Sequence, residues 1–128
     1  MVNTKDLEEI GHGCRGTVYR LSKTRVLKVY HFKKSKICEK FRKNEMEGGK
    51  RPGCLRVLRT MKVIHNNKKT IGIVRKYIPG DYNVITRDDL ANFKIKYGEY
   101  WDDWVFNFRK DSKGKLYMVD TQTGFVDY

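Results

Sequence analysis

The 128-residue sequence has few of the residues that build disulfide or zinc frameworks. It contains three cysteines and three histidines, with no Cys-x-x-Cys pair. No cysteine and histidine stand at the spacings typical of zinc ligands. Cys14, Cys38 and Cys54 are odd in number and scattered among polar residues, which is typical of reduced intracellular thiols. We therefore expect a cytoplasmic protein that binds no metal through Cys and His.

Long apolar runs and prolines are also scarce. No stretch approaches the roughly 20 apolar residues of a membrane span. Residues 1–10 are polar and acidic, without the basic start and apolar core of a signal peptide. The two prolines, Pro52 and Pro79, stand at expected turns, and no repeat or low-complexity linker interrupts the chain. These features predict one domain, 1–128, large enough to bury a single core and without membrane contact.

Acidic residues are in the minority. The chain has 28 lysines and arginines against 15 aspartates and glutamates, a formal net charge of +13. Such a surface attracts anions, so a nucleotide, a phosphorylated metabolite, an acidic protein and a nucleic acid all stay open as partners. No nucleic-acid-binding motif is present. The basic segment 31–51 is either an anion-docking face or simply a solvated helix surface.

The apolar pattern predicts an α+β order of strands, helix, strands, helix and hairpin. Alternation over 17–21 and 25–31 predicts a hairpin, and 55–64 with 70–78 predicts a second one around a turn at 66–69. Helical spacing predicts a helix over 34–47, and a second over 87–100 that begins at the cap residue Thr86. A small final hairpin is expected over 108–119.

A glycine-rich segment, Gly11-x-Gly13-x-x-Gly16-x-Val18, is the first candidate for function. Its glycines would let the backbone approach phosphate groups without a clash from Cβ atoms. In a dinucleotide-binding fold a helix begins at the third glycine, whereas Val18 and Tyr19 favour a strand here. The segment therefore predicts a phosphate-covering β-hairpin.

A lysine and a glutamate form the second candidate. Lys28 lies in an otherwise apolar strand, and a lysine that faces a core needs an anionic partner. Glu45 and Glu47 both lie on the predicted helix but are about 200° apart around it, so only one can face Lys28. We favour Glu45 because Phe41, one turn earlier, marks the buried face. Glu47 stays open as the alternative.

The third candidate is a set of oxygen-bearing side chains near the end of the sequence. Asp102 is followed five residues later by Asn107, and Asp120 comes after the apolar run 116–119. Carboxylate and amide oxygens suit a hard cation such as Mg²⁺. These residues are therefore candidates for binding such a cation or for acid–base chemistry.

In this order, the three candidates resemble the nucleotide-binding and metal-binding motifs of the protein kinase family. The resemblance implies an N-lobe over 1–78, with a five-stranded antiparallel sheet plus one helix, and a severely truncated C-lobe over 79–128. It also implies that the protein binds ATP and Mg²⁺. The resemblance implies catalytic roles for Lys28, Glu45 and Asp102, and metal binding by Asn107 and Asp120. It implies that Gly11, Gly13 and Gly16 cover the phosphates. It also implies that Ile10, Val18 and Val26 flank the base and that Tyr77 and Ile78 form the hinge.

The sequence also departs from the family pattern. Tyr100-Trp101 stands where the family has His-Arg, and Asp120-Thr121-Gln122 stands where it has Asp-Phe-Gly. Arg75 is an unusual side chain to find beside an adenine pocket. The segments that form the peptide-substrate platform of the family have no counterpart in this sequence.

Three functions follow as hypotheses. The first is a minimal kinase that transfers the γ-phosphoryl group of ATP to an unidentified hydroxyl acceptor, a Ser or Thr or the protein itself. The acceptor is expected to be an anionic protein or small molecule. The second is a non-catalytic kinase mimic that binds a partner kinase or other protein, in a host cytoplasm if the protein is viral or effector-like. The third is a basic nucleic-acid-binding module. The sequence leaves open whether the protein forms a homodimer.

Overall fold

The computed structural model describes residues 1–13, 15–80, 82–98 and 105–119. In these ranges the chain forms a six-stranded sheet, two α-helices and a separate two-stranded hairpin, an α+β fold as expected. The elements are β1 (Val2–Asn3), β2 (Glu8–His12), β3 (Gly16–Arg20), β4 (Arg25–Tyr30), α1 (Ser35–Gly48), β5 (Arg59–His65), β6 (Lys68–Lys76), α2 (Arg87–Tyr97), β7 (Phe108–Lys110) and β8 (Leu116–Met118).

The large sheet differs from the expected five antiparallel strands. Its order is β1-β5-β6-β4-β3-β2, and β1 pairs in parallel with β5 whereas the other neighbours are antiparallel. The prediction was wrong in strand count and in the purely antiparallel arrangement. The added strand is the pair Val2 and Asn3, which lie opposite Val63 and Ile64. Two residues are too few to show an alternating pattern, so the sequence gives no signal for this strand.

The second hairpin of the sheet has a tighter turn than expected. Only Asn66 and Asn67 separate the ends of β5 and β6, and both have positive φ angles, 51° and 64°. Two successive positive φ angles are typical of a two-residue hairpin turn, and asparagine tolerates them. Strand β5 begins at Arg59 and β6 ends at Lys76, which places Tyr77 and Ile78 just beyond the sheet.

Helix α1 covers the sheet with one apolar face. Cys38, Phe41 and Glu45 are buried along it at spacings of three and four residues, as neighbours on one helix face must be. Phe41 packs against Tyr30 at the end of β4. The predicted helix over 34–47 is thus confirmed within one residue at each end.

A second core lies between α2 and the β7–β8 hairpin. Buried Phe93 from α2 packs edge-on against buried Phe108 from β7, with ring centroids 5.1 Å apart. Helix α2 begins at Arg87 with Thr86 as its N-cap, as predicted. It ends at Tyr97, three residues before the predicted end, because Gly98 has a φ of 95° that stops the helix. Neither described helix is long and apolar enough to cross a membrane.

The capping box of α2 generates a stability prediction. The Thr86 hydroxyl accepts a hydrogen bond from the Asp89 amide at 3.1 Å, and the Asp89 carboxylate accepts one from the Thr86 amide at 2.9 Å. Thr86→Ala removes the first bond and should lower the free energy of unfolding by about 1 kcal/mol in urea denaturation. Thr86→Ser keeps the hydroxyl and should match the wild type. Equal stability of all three proteins would contradict the assigned role of the cap.

Candidate nucleotide-binding cleft

A cleft of about 380 Å³ lies between the large sheet and the β7–β8 hairpin. Its volume is within the usual range for small-molecule sites, about 300 to 1,000 Å³. The described residues that line it are Ile10, Gly11, Val18, Val26, Lys28, Leu55, Ile73, Arg75, Lys76, Tyr77, Ile78, Gly80, Asn107, Arg109 and Val119. Residues predicted from widely separated parts of the sequence therefore share one cavity.

The glycine-rich segment forms a hairpin between β2 and β3, as predicted. Gly11 lies opposite Val18 in the ladder and lines the cleft. The Gly13 amide donates to the Gly16 carbonyl at 3.0 Å, which closes the turn. A Cβ atom at Gly16 would stand 2.9 Å from the Val29 carbonyl oxygen, so this position accepts only glycine without a shift of the backbone. Gly13 and Gly16 shape the hairpin without lining the cleft.

Lys28 and Glu45 form the ion pair that the sequence predicted. The Lys28 Nζ lies 2.8 Å from the Glu45 Oε1. The Glu45 side chain is fully buried, whereas that of Lys28 is 21% exposed and lines the cleft. Glu47 instead pairs with Lys50 at the surface, with 72% of its side chain exposed. The partner of Lys28 is therefore Glu45 and not Glu47.

Arg75 is a second cation on the same carboxylate, and sequence analysis missed this role. Its Nη1 donates to the Glu45 Oε2 at 2.6 Å and also to the main-chain carbonyl of Val119. The Tyr30 hydroxyl donates to the Glu45 Oε1. A signal was present, because Arg75 follows the apolar run 71–74, and a cation in such a strand needs an anion just as Lys28 does.

The surroundings of Glu45 fix its charge. Burial would raise the pKa of its carboxyl, but the nearby charges of Lys28 and Arg75 lower it, as do the hydrogen bonds from Lys28 and Tyr30. The net effect holds the pKa below its ordinary value. Glu45 is therefore ionised at neutral pH, and its negative charge is shared by two cations.

The β7–β8 hairpin supplies the opposite wall. Asn107 lines the cleft just before β7, and its main-chain carbonyl accepts a hydrogen bond from the Val119 amide at 2.7 Å. Val119 also lines the cleft, and it is the residue before Asp120 in the sequence. Asp102 and Asp120 themselves lie outside the described residues.

The predicted magnesium site is not tested by the described residues. The described residues contain no group of three or more His, Cys, Asp or Glu side chains that could hold a metal ion. Asn107 lines the cleft, and an asparagine amide oxygen is a suitable ligand for Mg²⁺. The roles of Asn107 and Asp120 as magnesium ligands stay predictions.

The predicted base-binding residues also line the cleft. Val18 and Val26 line it from the sheet, and Tyr77 and Ile78 line it just after β6. The Tyr77 amide donates to the Thr24 carbonyl at 2.8 Å, which fixes this segment against the β3–β4 turn. These four residues thus line one cavity, and their contact with a base stays a prediction.

The described lining is cationic. It contains Lys28, Arg75, Lys76 and Arg109, and no aspartate or glutamate. Glu45, behind Lys28 and Arg75, offsets part of this charge. Arg109 and Gly80 are further lining residues that sequence analysis did not select. The described cleft therefore suits an anionic ligand with an apolar part.

Comparisons with known proteins add no assignment. No family model matches the chain, and it has no match among curated proteins. The interpretation of the cleft therefore depends on its own residues.

The buried carboxylate generates a prediction about pH. Glu45→Gln removes the counter-charge of two buried or half-buried cations and should lower the free energy of unfolding by about 3 kcal/mol at pH 7. A lowered pKa means that Glu45 stabilises the fold above the ordinary glutamate pKa, about 4.3, and loses this contribution as pH falls further. In urea denaturation, the free energies of unfolding of Glu45→Gln and of the wild type should therefore become more similar below about pH 4.

Glu47→Gln is the matched control for this experiment. Its carboxylate pairs only at the exposed surface with Lys50, so the change should cost less than about 1 kcal/mol at any pH. A Glu45→Gln variant no less stable than Glu47→Gln would contradict the account of the network. A difference that stays constant down to pH 2 would contradict the assigned charge.

Proposed function

We propose that the protein is a minimal kinase-type phosphotransferase that binds ATP with Mg²⁺ and transfers the γ-phosphoryl group to a hydroxyl acceptor. The observation that carries this proposal is the Lys28–Glu45 pair in a cleft bounded by a glycine-rich hairpin. A buried glutamate that holds a largely buried lysine at the edge of a small-molecule cleft is suited to presenting that lysine to phosphate oxygens.

The phosphate end of the ligand is assigned to Lys28 and the glycine hairpin. Lys28 has three N–H donors, one of which is directed to Glu45, so its exposed part can donate to phosphate oxygens. Gly11 lines the same cleft and places a main-chain segment without a side chain beside it. Such a segment allows the close approach that a triphosphate requires.

The base is assigned to the part of the cleft beside the segment that follows β6. Val18 and Val26 offer apolar contact to one face of a planar ring. The main-chain groups around Ile78 are assigned to the base edge, because the Tyr77 amide is already bonded to Thr24. In this orientation, a bound nucleotide spans the cleft with its base beside the segment after β6 and its phosphates at Lys28.

The chemical step is assigned to the residues near the end of the sequence. Asn107, with Asp120, is assigned to Mg²⁺, which when bound neutralises phosphate charge. Asp102 is assigned to orienting the acceptor hydroxyl and accepting its proton. The acceptor oxygen forms a bond to the γ-phosphorus while the bond from this phosphorus to the β–γ bridging oxygen breaks, and ADP is the leaving group. Phosphoryl transfer needs mainly positioning and charge neutralisation, which a small frame can provide. The net charge of +13 favours an anionic acceptor.

One observation favours the alternative, a non-catalytic kinase mimic that binds a partner protein. Both oxygens of Glu45 have cationic partners, Lys28 on one and Arg75 on the other. A network satisfied in this way needs no ligand to hold its shape. Binding of ATP separates the two functions, because the mimic has no requirement for it.

The proposal predicts that nucleotide binding depends on Lys28. Lys28→Met should weaken binding of ATP with Mg²⁺ by about 30-fold in calorimetry, because a hydrogen bond to a charged group contributes about 2 kcal/mol. Lys62→Met is the matched control, since Lys62 is exposed on β5 and outside the cleft lining. It should bind like the wild type. Absence of ATP binding by the wild type would contradict the proposal and favour the mimic.

Catalysis is tested separately with radiolabelled ATP. Asp102→Asn should abolish phosphorylated product while it retains nucleotide binding, because Asp102 is assigned to the acceptor alone. Asp120→Ala should abolish product as well, and it should weaken the effect of Mg²⁺ on ATP affinity. Product that persists in both variants would refute these assignments.

A further inference from the structure

Arg109 lies in the cleft wall across from the apolar strands of the large sheet. It is the middle residue of β7, and it lines the cleft together with Ile10, Val18 and Val26, which come from β2, β3 and β4. The cleft lies between these two sheets. Aliphatic side chains from the large sheet and a guanidinium group from the hairpin therefore line the same cleft.

Gly80 fixes where this guanidinium lies. A Cβ atom at Gly80 would stand 2.8 Å from the Arg109 Nε, 3.1 Å from its Cζ and 3.4 Å from its Cδ. The end of the Arg109 side chain thus packs directly on the main chain two residues after Ile78. Its Nη1 also donates to the Phe108 carbonyl at 2.8 Å. These contacts hold the guanidinium beside the segment that follows β6.

A guanidinium in this position has a defined chemistry. Its plane stacks on aromatic rings while its edge keeps hydrogen bonds, so the bond to Phe108 does not prevent stacking. Arginine is used in this way on nucleobases, whose ring faces are all suitable. Lysine lacks the plane and cannot replace it.

We propose that Arg109 is a base-binding residue that stacks its guanidinium on one face of the nucleotide base, with Val18 and Val26 against the other face. This inference rests on the proposed function, because it requires a nucleotide in the cleft. It assigns to the site a ligand with a planar aromatic base rather than a polyphosphate or a sugar phosphate alone.

The test measures the affinities of two ligands, ATP with Mg²⁺ and inorganic tripolyphosphate, for the same variants. Arg109→Ala and Arg109→Lys should each weaken binding of ATP with Mg²⁺ by about tenfold. Arg109→Lys keeps the positive charge, so it should leave the dissociation constant of inorganic tripolyphosphate unchanged, since that probe has no base. Arg59→Ala is the control, because Arg59 is exposed on β5 and outside the cleft lining. Unchanged ATP affinity in the Arg109 variants, or an equal loss for both ligands in Arg109→Lys, would overturn the inference.

Gly80→Ala provides a second variant that keeps every charge. Its methyl group would occupy space now filled by the Arg109 guanidinium, so ATP binding should weaken to a similar extent. In the Arg109→Ala background the same change should cause no further loss, because the group it displaces is already gone. Additive losses would overturn the assignment.

The inference and the proposed function fail in different ways. If the wild type binds no ATP, both are wrong. If ATP binding depends on Lys28 but not on Arg109, only the stacking assignment is wrong. Thermal unfolding of each variant distinguishes lost contacts from a lost fold.

Discussion

The carboxylate of Glu45 is fully buried, and burial of an unpaired charge costs several kcal/mol, so its surroundings must supply cations and donors. They come from three side chains on two strands: Lys28 and Tyr30 on β4, and Arg75 near the end of β6. Arg75 also binds the carbonyl of Val119, just after β8. One charge on α1 therefore joins the helix, the large sheet and the small hairpin, which are the parts that surround the cleft.

This arrangement determines the character of the cleft. The described lining has cations and no carboxylate, and the carboxylate of Glu45 lies behind Lys28 and Arg75. Apolar side chains of β2 to β4 line the same cavity as these cations. A ligand with an apolar ring and several negative charges matches both parts, and a nucleotide has both.

Much of this site could be predicted because its signals are local. The glycine spacing predicts the hairpin, and Phe41 one turn before Glu45 identifies which glutamate faces inward. The bond from Arg75 to Val119 joins residues 44 positions apart, and neither residue has a pattern that selects the other. The guanidinium of Arg109 against Gly80 depends on how the two sheets pack, which periodicity does not encode. The parallel strand β1 is too short for any pattern to show.

The central claim is that the charge network around Glu45 holds Lys28 ready for the phosphates of a nucleotide. The most direct measurement is a crystal structure with a non-hydrolysable ATP analogue and Mg²⁺. The account predicts a triphosphate between the glycine hairpin and Lys28, with Glu45 still bonded to Lys28 and Arg75. An analogue bound elsewhere on the protein, or a triphosphate out of reach of Lys28, would contradict it.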